Sequence, residues 1–429
     1  MTATAAPPRA APAPGGLAST KAPPFLLPGE HFAAAIVFLL AGVAGLVSVA
    51  PELAGGAYLS PRVAGVTHLF TLGWITTSIM GALYQFLPVA LGEPIRSVRV
   101  AHMTFALYAP GVAAFVLGLM TGRPVVMLAG AATFGTGVLL FLGNFGATLA
   151  RGKRRDVTWW ALTGAAVFLC VTLVLGLALA GNLHWHYLGA ERPTALATHL
   201  HVAIAGWVLL VMVGVAHRLL PMFLLSHGAG ERYAKASVAL LAAGAGTLAL
   251  GHHGPPLIAR WLPALLIASG LGCFLAQARR FYRFRHRPVL DAGMRLAAGA
   301  LALVGVSLVL AVPGVLVATS PRVSTAYVLT LLLGISLFIA AHYYKIVPFL
   351  VWYHRYGPLA GKQPVPRVAD LYDARAARAA TGLLFAGAVA LALSVGSGAG
   401  IAARVAAGVL AAGAAVEAGQ MYLLARKQP

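Results

Sequence analysis

Histidine dominates the residues of this chain that could do chemistry: there are fourteen, against ten acidic residues and two cysteines. Imidazole titrates near neutrality and ligates haem iron, copper and zinc, so the first question is where these side chains stand. Two of them open apolar stretches that follow one pattern. Residues 65 to 88 read GVTHLFTLGWITTSIMGALYQFLP, and residues 198 to 221 read THLHVAIAGWVLLVMVGVAHRLLP. Aligned on their prolines, the two share H-x4-G-W-x6-G-x2-[YH]-x2-L-P. The alignment pairs His68 with His201, Gly73 and Trp74 with Gly206 and Trp207, Gly81 with Gly214, Tyr84 with His217, and Pro88 with Pro221. A third stretch, VLTLLLGISLFIAAHYYKIVP at 328 to 348, keeps Ala341, Tyr344 and Pro348 in register but offers Val328 where the histidines stand.

The elements that carry these residues follow from composition. Of the 429 residues 60% are hydrophobic and only 10% charged, with a mean hydropathy of +0.84, whereas about a quarter of a soluble domain is charged. The chain therefore reads as an all-α, polytopic membrane protein. Stretches of the roughly 20 apolar residues that cross a bilayer fall at about 31–53, 65–91, 102–122, 124–150, 157–181, 197–225, 236–252, 260–278, 295–319, 323–350, 380–398 and 400–425. That predicts twelve spans over 31–429, preceded by an Ala- and Pro-rich segment, 1–30, which is expected to be a disordered cytoplasmic tail. The marked stretches are spans two, six and ten, so the twelve divide into three groups of four with the marked helix second, the pattern of pseudosymmetric packing.

Basic residues set the expected orientation. With both termini inside, the inner segments hold the runs RGKRR at 151–155 and ARRFYRFRHR at 278–287 among many others, while the outer side holds only Arg62, Arg123, Arg192, Arg260, Arg322 and Arg404. This asymmetry predicts N-in and C-in. The net charge of +21 lies along cytoplasmic loops facing anionic lipid headgroups, so a lipid bilayer and not nucleic acid is the expected partner. Cys170 and Cys273 both lie inside spans and form no CxxC, which leaves no disulfide framework or thiolate site.

In this topology His68, His184, His186, His199, His201 and the adjacent His252 and His253 gather on or near the outer side. An imidazole inside an apolar span is costly unless partnered, and so is a functional candidate. His199 and His201 are two residues apart and point to different faces; the repeat selects His201. Gly, Trp and Pro of the repeat are explained by packing and helix termination. His184 and His186 lie in a loop, where solvation is the commoner role.

On these residues the layout resembles subunit I of the haem-copper oxidase superfamily, a twelve-helix fold of three pseudosymmetric four-helix arcs. The resemblance implies that His68 matches a haem ligand on helix two, His201 a copper ligand on helix six, and His252 and His253 the copper-binding pair at the end of helix seven. Haem b and copper are the cofactors it implies, with a periplasmic cytochrome or copper protein as electron donor, respiratory or nitric oxide chemistry, and the bacterial inner membrane as location. Two departures stand against an oxygen-reducing binuclear centre. The tenth span has Ser324, Thr325 and Tyr327 where the family carries an HxH, and Ala205 stands four residues after His201, where a tyrosine is expected. The NnrS proteins, histidine-rich twelve-span proteins linked to nitric oxide stress, are similar in size, but their signature is missing here.

A second group of polar residues sits toward the inner face: Tyr84, Gln85, His217, Arg218, His342, Tyr343, Tyr344, Lys345 and His354. Arg218 and Lys345 are expected to reach lipid phosphates. His217 and His342 are expected to approach each other, and with Tyr84, Tyr344 and the intramembrane Glu417 they outline a proton path. Alternatives to a redox enzyme are a copper- or haem-handling or nitric oxide stress protein on the same scaffold, or a proton-linked transporter. No phosphate-cradling loop, nucleophile elbow or HExxH motif is present.

Overall fold

In lipid a backbone cannot hydrogen-bond to water, so a chain this apolar must satisfy its amides within helices. The computed structural model describes residues 21–251, 256–313 and 320–429, with side chains of 256–260 left aside. Among them the chain is helical throughout, with two isolated bridges and no strand. The helices are α1 (Leu26–Ala54), α2 (Pro61–Leu91), α3 (Val98–Thr121), α4 (Pro124–Arg151), α5 (Val157–Trp185), α6 (Gly189–Leu224), α7 (Arg232–Ala249), α8 (Pro256–Arg283), α9 (Ala292–Ala311), α10 (Pro321–Val351), α11 (Ala374–Ser397) and α12 (Gly400–Arg426). Eleven of these are long and apolar enough to cross a bilayer. The exception is α7, eighteen residues long with Arg232 and Lys235 in its first turn. The first helix begins at Leu26, within the segment expected to be an unstructured tail.

Consecutive helices pair as hairpins, α3 with α4, α7 with α8, α9 with α10 and α11 with α12, and α12 returns to lie along α1. The three marked helices are the most enclosed. Of their most apolar eighteen residues 67% in α2, 72% in α6 and 67% in α10 are buried, against 28–44% in the other spanning helices. Side-chain contacts link the three. Trp207 Nε1 donates to Thr76 Oγ1 at 3.3 Å, Ser78 Oγ and Tyr343 Oη lie 2.8 Å apart, and Tyr327 Oη lies 3.4 Å from His201 Nε2.

The glycines of the repeat explain why α2 and α6 lie so close to the helices that precede them. A Cβ on Gly73 would come within 2.6 Å of the Phe38 ring of α1, and one on Gly206 within 2.6 Å of the Phe168 ring of α5. Lipid provides little hydrophobic drive between helices, and such close approach supplies dispersion contact in its place. Eight residues on, Gly81 meets His31 and Gly214 meets Ala161 in the same manner.

Candidate functional site

Immediately after each repeated histidine the helix changes its winding. Leu69–Thr76 in α2 and Val202–Leu209 in α6 are π-helical; in the first, Thr77 N–H reaches back five residues to the Leu72 carbonyl. Such turns are rare and concentrate at functional sites. In α10 the helix is regular here, and its spacing differs too. Gly334, packed on Val304, and Ala341, whose carbonyl faces Gly293, are seven residues apart, one fewer than Gly73 to Gly81 or Gly206 to Gly214. A wider turn accommodates the additional residue. Counted from these close contacts, the histidine position in α10 falls on Leu329, one beyond the Val328 of the proline register; both are apolar.

His68 and His201 adopt the same geometry. The Nδ1 of each donates to the carbonyl four residues back, Ala64 at 2.7 Å and Ala197 at 2.8 Å. A carbonyl only accepts, so the tautomer is fixed with the proton on Nδ1 and the lone pair on Nε2, which in His201 lies 3.4 Å from the Tyr327 hydroxyl. Metal-bound histidines are commonly held in this way. The His68 ring meets Phe115 edge-on, with centroids 5.2 Å apart. The His201 ring lies parallel to Tyr327, at 6.3 Å and 19°, so α10 presents a phenol where the resemblance implies imidazoles. His199, which the repeat passed over, has a buried Nδ1 without a partner and lies in the neighbourhood of His68. The signal for it was available: Tyr327 and His199 each stand two residues before the histidine position of their helix. His184 and His186 are exposed.

These donors fit the role of single imidazole ligands. Among the described residues no group of three His, Cys, Asp or Glu could hold a metal ion. His252 and His253 lie outside the described residues, so the expected copper group is represented by His201 alone.

At the proline end several expectations change. Arg218 pairs with Asp156 and Lys345 with Asp291, so both cations find carboxylates at the start of neighbouring helices, and lipid phosphate is not needed to explain them. No hydrogen bond joins His217 to His342. His217 Nε2 faces Glu231 Oε1 at 3.5 Å. Burial alone would raise the Glu231 carboxyl, but Lys235 and His217 together hold it below the usual range. His342 donates from Nδ1 to the Phe338 carbonyl at 2.7 Å, and its buried Nε2 has no partner. The hydroxyls of Tyr84 and Tyr344 and both oxygens of Glu417 are likewise buried without hydrogen-bond partners. Glu417 is 1% exposed and lies within electrostatic reach of Tyr343 and Tyr344. His31 of α1 was not singled out from sequence. It is buried, donates from Nδ1 to the Leu27 carbonyl at 2.8 Å, and lies against Tyr84 with ring centroids 5.3 Å apart. Its neighbour Glu30 accepts from His102 Nδ1 at 2.8 Å. A Glu-His pair opening an apolar span was the available sign. No protein-family model matches this chain, and no curated protein is similar to it.

Proposed function

We propose that the chain is a multi-pass membrane protein that binds haem or copper near its outer face through His68 and His201. The observation that carries this reading is the shared geometry of the two residues. Each stands at the mouth of a π-helical turn on a central helix, with Nδ1 tethered to the backbone and the lone pair on Nε2 left as the ligating position. Haem iron or copper would supply binding of a small diatomic or transfer of an electron; the chain's residues would orient the ligating nitrogens and fix their tautomer. Further features of the proposal are twelve spans in three pseudosymmetric four-helix arcs, both termini cytoplasmic, and residence in a bacterial inner membrane. A redox role would draw electrons from a periplasmic cytochrome or copper protein. The outer end of α10 favours a haem- or copper-handling, non-enzymatic role over an oxidase-type centre, since it presents Ser324, Thr325 and Tyr327 where such a centre would need imidazole ligands. Glu417, with two unpartnered oxygens inside a span, supports proton-linked transport as a second reading.

Metal analysis and an optical spectrum of the purified protein test the proposal. The expected result is a Soret band or bound copper near one per chain, falling by more than half in His201→Ala or His68→Ala without loss of thermal stability. A wild-type protein free of metal after haem and copper supplementation, or variants that keep the full complement, would overturn it.

A further inference from the structure

The outer end of α10 carries the hydroxyls of Ser324, Thr325 and Tyr327 within one helical turn. Two of them stay with their own helix: Ser324 donates to the Ser320 carbonyl at 3.3 Å and Thr325 to the Pro321 carbonyl at 2.7 Å. The third crosses to α6. Tyr327, 8% exposed, turns its hydroxyl to His201 Nε2 at 3.4 Å. Because His201 Nδ1 is tethered to the Ala197 carbonyl, Nε2 bears a lone pair, so a phenol oxygen and an imidazole nitrogen face each other. Their separation is informative. A hydroxyl hydrogen bond closes to about 2.8 Å, whereas two donor atoms about 2.0 Å from one tetrahedral metal ion stand roughly 3.3 Å apart. The ring that meets His68 is Phe115, which has no donor atom, so that contact offers no such pair.

We propose that Tyr327 is a second protein ligand beside His201 and that the pair holds copper(II), not haem iron. This rests on the metal reading above and narrows it. Haem takes its axial ligands on opposite faces of the macrocycle, so two donors in contact with each other cannot share one haem. Copper(II) accepts mixed nitrogen and oxygen donors and heads the affinity order of the divalent first-row ions. On binding, the Tyr327 O–H bond breaks, Oη takes the metal as phenolate, the proton leaves to water, and the metal keeps its oxidation state. The phenolate cancels one of the two positive charges, which matters in an apolar span where uncompensated charge is costly. Among the described residues no group of three His, Cys, Asp or Glu is present, and a tyrosine ligand needs none.

The test is titration of copper(II) sulfate into the metal-free full chain in detergent, followed by visible absorption and electron paramagnetic resonance. The expected result is saturable copper binding with a nitrogen-coupled resonance signal and a phenolate-to-copper charge-transfer band. Tyr327→Phe keeps the ring, should lose the band and should weaken binding at least about 10-fold, since loss of a group that merely supports a ligand already costs 10- to 100-fold. Tyr327→His supplies another donor and should restore binding without the band, which separates loss of a ligand from loss of packing. Copper bound by the wild type without the band, or a band that survives in Tyr327→Phe, overturns the role of Tyr327 and leaves the metal reading standing. A Soret band in protein from haem-supplemented cells, with no uptake of copper, overturns the choice of copper alone. Failure to bind either metal overturns both.

Discussion

The cations of the marked helices show how single residues are tied to the fold. Arg218 and Lys345 occupy the same repeat position, and each pairs with an aspartate that also caps a helix: Asp156 accepts from Trp159 N–H at 3.1 Å, and Asp291 from Met294 N–H at 3.0 Å. In α2 the position is Gln85, uncharged, and α1 begins without an aspartate, so cation and anion are missing together. A part-buried ammonium left without its carboxylate is costly, whereas removal of both charges is often nearly neutral. Asp291→Asn should therefore destabilise the protein by about 1–3 kcal/mol, and adding Lys345→Met should recover at least half of that, as read by thermal unfolding in detergent. Simple additivity of the two substitutions would show that the pair is not coupled. The cations were legible in sequence but their partners were not, because Asp156 and Asp291 lie 62 and 54 residues away. No periodicity within one helix reports a contact of that separation. The same holds for Tyr327, whose meeting with His201 depends on two helices 126 residues apart.

The π turns are the clearest property at the scale of the element. Histidine, Gly-Trp and Leu-Pro could be aligned by eye, yet the winding between them could not, since π and α segments have the same apolar composition. Its sign in the sequence is a count: eight residues between close contacts in α2 and α6, seven in α10. If the additional residue is what the wide turn absorbs, removing one there should convert α6 to the regular form that α10 already adopts. Deletion of Val208, inside the π segment, should leave a folded protein with a moderately lowered melting temperature. Deletion of Ala216, in the regular helix beyond Gly214, leaves the count between the contacts at eight, rotates the following residues by about 100° and should prevent folding, because Arg218 would no longer face Asp156. Expression and melting of the two variants decide the point. If both deletions are equally damaging, the π turn is not an insertion and the register argument fails.

For the molecule as a whole, the helical class and nearly all spans were legible because bilayer thickness imposes a length and an apolarity on every crossing. The weakest is α7, whose first turn carries Arg232 and Lys235, and it decides the topology: with α7 crossing, both termini share a side; without it, every segment from α8 onward is inverted. The distribution of charge favours crossing. Each Lys or Arg near an anionic leaflet contributes about 1 kcal/mol, and the end of α8 with the loop after it carries Arg283, Arg285 and Arg287 beside His286, whereas the first turn of α6 carries Glu191 and Arg192. The native cysteines, Cys170 and Cys273, can be replaced by alanine to give a background for labelling. Glu191→Cys, at the start of α6, and Val289→Cys, in the loop between α8 and α9, place single thiols at exposed positions. In intact spheroplasts a membrane-impermeant maleimide should label the first and spare the second until the membrane is broken. Labelling of both from outside would mean that the segment Arg232–Ala249 does not cross and that the arrangement of three four-helix groups is wrong; labelling of Val289→Cys alone would invert the whole chain and carry His68 and His201 to the cytoplasmic face.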